Sequence, residues 1–72
     1  MATNNLSATV KALRKKFYMT QEELALKSGV GLRFIRELEQ GKPTLRLDKV
    51  NQVLDLFNFV MEPVPKKKDD EK

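Results

Sequence analysis

Leu6, Val10, Leu13 and Phe17 follow one another at steps of four, three and four, the interval at which side chains return to one face of an α-helix. The spacing predicts a first helix, with Asn4 or Asn5 capping its start. Lys11, Arg14, Lys15 and Lys16 fall toward its C-terminal half, where positive charge suits the helix dipole. Thr20-Gln21-Glu22-Glu23 then reads as a capping box: the threonine hydroxyl accepts the third amide proton while the glutamate reaches back to the cap amide. Met19 is placed to pack on Leu24 as a hydrophobic staple, and a short second helix runs to about Lys27. Ser28-Gly29-Val30-Gly31 interrupts the pattern, with glycine supplying the left-handed residue that ends a helix.

A third helix is predicted over Leu32 to Gln40, with Phe34, Ile35 and Leu38 on an apolar face and Arg33, Arg36 and Glu37 on a polar one. Gly41 ends it, and Lys42-Pro43-Thr44 forms a loop that proline keeps from continuing the helix. Leu47, Val50, Leu54 and Phe57 mark a fourth helix beginning near Arg46. Beyond it Phe57, Phe59 and Met61 alternate with Asn58, Val60 and Glu62, a period of two that predicts a short strand. From Pro63 to Lys72 no period survives. Residues 1–62 are therefore expected to form one domain and 63–72 a mobile charged tail, in which Asp69, Asp70 and Glu71 nearly cancel Lys66 to Lys68.

The composition narrows the picture. A chain of 72 residues has room for one domain, and at that size only about 60 % of the unfolded surface is buried. It has neither cysteine nor histidine, so disulfides, thiolate metal sites and the usual zinc ligand sets are excluded; no metal or cofactor is expected. Short-range helix packing or dimerisation must then supply the stability. The net charge of +4 suits a partner that is nucleic acid or an acidic surface, and charged residues interspersed among apolar ones suit a globular domain. No apolar run approaches the roughly 18 residues that span a bilayer, and the first residues lack the basic and apolar segments of a signal peptide. A cytoplasmic protein acting at the nucleoid, without a membrane, is expected.

Two short helices joined by a tight glycine-containing turn make a helix-turn-helix. In that arrangement the first helix of the pair crosses the sugar-phosphate backbone, and the second enters the major groove, whose width of about 12 Å admits a helix. The expected architecture is all-α, a compact four-helix domain ending in a short strand.

Thr20-Gln21-Glu22-Glu23-Leu24-Ala25, Ser28-Gly29-Val30 and Phe34-Ile35-Arg36-Glu37-Leu38-Glu39-Gln40-Gly41-Lys42 together resemble the Cro/C1 (XRE-type) helix-turn-helix domain, whose fold is lambda-repressor-like. The resemblance runs over about residues 6–57. The stretch from Arg33 to Thr44 and the helix Leu47 to Leu54 resemble more particularly the HipB-type antitoxins. In that group a small DNA-binding dimer neutralises a HipA-type kinase toxin and represses its own operon. Two positions depart from the wider pattern. Tyr18 stands where glycine is common, which calls for a non-glycine residue at positive φ; Phe34 replaces a small polar residue and serves either the core or a thymine methyl or sugar.

The resemblance implies a role for each site residue. Gln21 at the start of the second helix would bond a phosphate, with Ser28 a further contact. Leu32, Arg33, Arg36 and Glu37 would face the groove: Arg33 or Arg36 gripping guanine, and Glu37 accepting from a cytosine amino group or orienting an arginine. Lys42 and Arg46 would meet phosphate. Arg14 and Glu39 would form an ion pair tying the first helix to the end of the third. Phe57, Phe59 and Met61 either complete the monomer core or pair as a strand across a dimer axis, the arrangement the HipB likeness implies. The expected partners are thus a palindromic DNA operator, a second copy and a HipA-type kinase toxin.

An enzyme would need a nucleophile with its base, a metal, or carboxylates converging in a cleft. Glu22-Glu23 and Asp69-Asp70 lie on a short helix and in the tail, and Gly29 and Gly31 lack the strand and third glycine of a phosphate loop. No catalysis is expected. Two alternatives stay open: a stand-alone phage-type repressor, and a helical protein-binding module that does not touch DNA.

Overall fold

The computed structural model describes residues 5–65. Asn4, one of the two proposed caps of the first helix, and the tail from Lys66 onward lie outside the described residues. The described residues form four helices: α1 (Asn5–Lys16), α2 (Gln21–Ser28), α3 (Leu32–Gln40) and α4 (Leu47–Leu56). The all-α four-helix architecture expected from the periodicity is the one observed. α3 packs on both α1 and α2, while α4 packs on α2. Their shared core is Val10, Leu24, Ala25, Val30, Ile35, Leu38, Val50, Val53 and Leu54.

Local chemistry fixes the ends of α2. The Thr20 hydroxyl accepts from the Glu23 amide at 3.0 Å, and the Glu23 carboxylate accepts from the Thr20 amide at 2.8 Å, completing the capping box. At the other end Gly29 takes φ +80, and its N–H bonds the carbonyl of Ala25. The Gln52 side chain, reaching over from α4, donates to the carbonyls of Ser28 and Gly29 at 3.2 and 3.4 Å. Gly41, at φ +82, closes α3 in the same left-handed manner. Tyr18 does occupy positive φ, at +58, between α1 and α2. A left-handed tyrosine costs about 1–2 kcal/mol, and nothing covers its ring, which is 93 % exposed.

The periodic patterns need three corrections. Phe17 lies just past the end of α1 and is more than half exposed, although its ring stacks on Phe57 at 5.7 Å. Leu47 is exposed, and Val53, which the stripe omitted, is fully buried in its stead. At about 100° per residue, Val50, Val53, Leu54 and Phe57 cluster on one side of α4, and Leu47 lies roughly 70° from their midline. Phe34 is partly buried against the core, the first of its two readings, and its exposed part lines the surface beside Arg33.

The third correction is the strand. Among the described residues there is none: Phe57 closes α4, Asn58 turns through φ +63, and Phe59 to Pro65 run on without regular structure. The alternation is present in the sequence, but a strand exists only through hydrogen bonds to another strand, and this chain contains no second one among its described elements.

Candidate nucleic-acid interface

α3 is amphipathic in a way that divides its charged residues sharply. Ile35, Leu38 and Glu39 point inward, Leu32 and Phe34 flank them against the core, and Arg33, Arg36 and Gln40 are exposed with Glu37 at their edge. The exposed residues occupy an arc of about 100°, the width of one helix face laid against a surface.

On one flank of that face lies a shallow depression of about 390 Å³, lined by Arg33, Phe34, Glu37, Lys42, Arg46 and Lys49 together with Gly31, Thr44 and Leu45. Glu37 is its one carboxylate, with a side chain 27 % exposed: one oxygen lies 3.4 Å from Arg33 Nε and the other 3.5 Å from Lys42 Nζ. Arg46 is held at the rim by Asp48, whose two oxygens accept from its guanidinium at 3.2 and 2.8 Å. That hydrogen bond, together with the Arg46 charge and the Lys49 amide, keeps the Asp48 carboxyl below its usual range. Arg36 sits on the other flank. Among the described residues no ion pair or hydrogen bond holds its guanidinium, so it projects unengaged. The structure thus separates two arginines that the sequence left equivalent.

The opposite side of α3 carries the predicted ion pair. Arg14 Nε and Nη2 donate to the two oxygens of Glu39 at 2.6 and 3.0 Å, and Nη1 donates to the Met19 carbonyl at 2.9 Å. Glu39 is almost wholly enclosed, its side chain 2 % exposed against 13 % for Arg14. Burial works to raise its carboxyl, but hydrogen bonds from Arg14 and Gln21 and the charges of Arg14 and Lys11 outweigh it, so the group stays below the usual carboxylate range. Arg14 is raised in turn, chiefly by its hydrogen bond to Glu39.

Gln21, Ser28 and Leu32 are placed differently from the other predicted contacts. The Gln21 side chain donates to Glu39 at 3.1 Å, inside the same tie. The Ser28 hydroxyl spends its proton on the carbonyl of Leu24 at 2.7 Å. Leu32 packs on the core. What the start of α2 leaves open is the pair of amides of Gln21 and Glu22, the Glu23 amide being taken by Thr20. Lys49 and Gln40 lie at the site without having been singled out; the signal for Gln40 was its place one turn beyond Arg36, and for Lys49 its nearness to Arg46 in the chain.

Among the described residues no helix is long and apolar enough to cross a membrane, and no group of acidic residues is set to hold a metal.

Comparison with known proteins gives consistent matches. A helix-turn-helix family model matches residues 10–60. An uncharacterized HTH-type transcriptional regulator, y4mF, of Sinorhizobium fredii is 52 % identical over 50 residues, which are 69 % of this chain and 66 % of that protein. An uncharacterized HTH-type transcriptional regulator of Archaeoglobus fulgidus is 40 % identical over 55 residues, or 76 % of this chain and 78 % of its own length.

Proposed function

The chain belongs to the helix-turn-helix family of DNA-binding transcriptional regulators, and from that premise we propose that it is a sequence-specific repressor that binds a palindromic operator as a homodimer. The observation that carries the proposal is the exposed cationic face of α3, directly after the tight turn from α2, with Arg33 and Arg36 free of the core. α3 enters the major groove. Arg36, unengaged by any other described side chain, reads a guanine edge, while Arg33, Lys42, Arg46 and Lys49 meet the phosphates beside it. The two amides that the capping box leaves open at the start of α2, those of Gln21 and Glu22, take a further phosphate.

Dimerisation is supported by the exposed apolar residues Phe59, Val60 and Met61, which an isolated chain leaves in water, and by the strand-like alternation that begins at Phe57. Pairing of this segment with its twin would present two copies of α3 related by a twofold axis, as a palindromic operator requires. The likeness of Arg33 to Thr44 and of α4 to HipB-type proteins supports the narrower reading: the antitoxin of a toxin-antitoxin operon, autoregulating and binding a kinase toxin in the cytoplasm.

Selection of bound sequences from a random DNA pool tests the proposal. A palindromic consensus is expected, with affinity falling linearly in log–log form as salt rises. Failure to enrich any sequence at low salt refutes it. Co-expression with the product of the adjacent reading frame tests the antitoxin reading through co-purification of the pair.

A further inference from the structure

We propose that Glu37 is the specificity-determining residue of the interface: a carboxylate that penalises every DNA sequence alike and is repaid only where a base donor replaces its cationic partners. This rests on the DNA-binding reading of α3.

Three observations place it. Glu37 lies on the groove-facing side of α3, one turn after Arg33, yet it is the one acid among the residues of the depression. It engages Arg33 and Lys42 at once, through separate oxygens, at 3.4 and 3.5 Å. Those distances mark loose ion pairs, and the Arg33 side chain is 91 % exposed, so the pairing is easily exchanged for another. Glu39, two residues on, has no such freedom.

An anion carried into a polyanion's groove is unfavourable for any sequence. While it holds Arg33 and Lys42, it also withholds part of their charge from the phosphates. Random DNA therefore meets a weakened cationic face. At a cognate site a cytosine amino group donates to one carboxylate oxygen, the contact that glutamate makes in the major groove. The exchange releases Arg33 or Lys42 to a phosphate or to a neighbouring guanine. Affinity is gained twice at the correct base pair and not at all elsewhere, which widens the ratio between specific and non-specific binding.

The test compares wild type, Glu37→Gln and Glu37→Ala, each verified as folded by circular dichroism. Each is titrated with a random-sequence duplex and with the duplex selected by wild type. Both variants should bind the random duplex several-fold more tightly, with a log–log salt slope steeper by about one as freed cations reach phosphate. Discrimination between the duplexes should fall roughly tenfold, and repeated selection with Glu37→Ala should lose a cytosine preference at one position per half-site. A merely structural glutamate would weaken both duplexes alike and leave the slope and the selected sequence as they were; that outcome overturns the proposal while leaving DNA binding intact. Wild type that selects nothing removes the proposal together with the reading beneath it.

Discussion

Glu37 and Glu39 stand two residues apart on α3, and about 200° of helical rotation gives the same side chain opposite tasks. Glu39 is enclosed and receives hydrogen bonds from Arg14 and Gln21, the shortest at 2.6 Å. Glu37 lies at the surface between two cations at 3.4 Å or more. The first geometry binds three helices into one body. The second leaves a carboxylate that can change partners. Position around the helix, rather than residue type, decides whether a charge belongs to the fold or to the ligand.

The comparison can be broken most directly at Glu39. Glu39→Ala leaves the Arg14 guanidinium without its partner in a nearly closed site, so unfolding in urea should show a loss of about 3 kcal/mol, a large part of the stability of so small a domain. An effect below 1 kcal/mol, as for an exposed pair, would erase the distinction between the two glutamates. Next in size is a functional loss without a structural one. Arg36→Ala should weaken operator binding by about 1–3 kcal/mol in a mobility-shift titration while leaving the melting curve unchanged. Equal affinity would move base reading away from the exposed flank of α3.

A smaller effect comes from acid. The Glu39 carboxyl lies below its unfolded value, so its contribution is fully present above the ordinary carboxylate range and is lost as pH falls through the depressed folded value. Urea midpoints across that acid window should fall less steeply in Glu39→Gln than in wild type; parallel curves would show that the group does not report on folding. Smaller again, Gln21→Ala removes one donor from Glu39 and should cost about 1 kcal/mol of stability. Last, Glu37→Gln should shift stability by less than about 0.5 kcal/mol, as substitutions of loosely paired surface groups do. A larger loss would make Glu37 a second Glu39.

The parts of this molecule that were legible in the sequence are those fixed by neighbours along the chain. Thr20 and Glu23 close a box four residues long, Gly29 and Gly41 stop the helices before them, and the backbone at Tyr18 turns left-handed where the family pattern called for it. Arg14 and Glu39 are 25 residues apart and were paired in advance only through that same resemblance. Contacts of comparable reach that no motif records stayed hidden: Gln52 on the carbonyls of Ser28 and Gly29, Gln21 on Glu39, and Lys49 in one depression with Arg33. Periodicity tells which side of a helix is apolar but not where its midline falls, which is how Leu47 was counted and Val53 was not. The alternation from Phe57 to Met61 shows the same limit, because a strand is a property of two backbones and a single sequence describes one.

The third donor of Arg14 has a consequence for how quickly this protein can act. By holding the Met19 carbonyl while its other nitrogens grip Glu39, it locks the turn entering α2 to the far end of α3, so the angle between the two helices is set before anything approaches. A frame with no helix angle to adjust on arrival loses no binding free energy to reorganising its backbone. Only side chains at the surface, Glu37 among them, have partners to exchange, so docking is not slowed by a change in the fold.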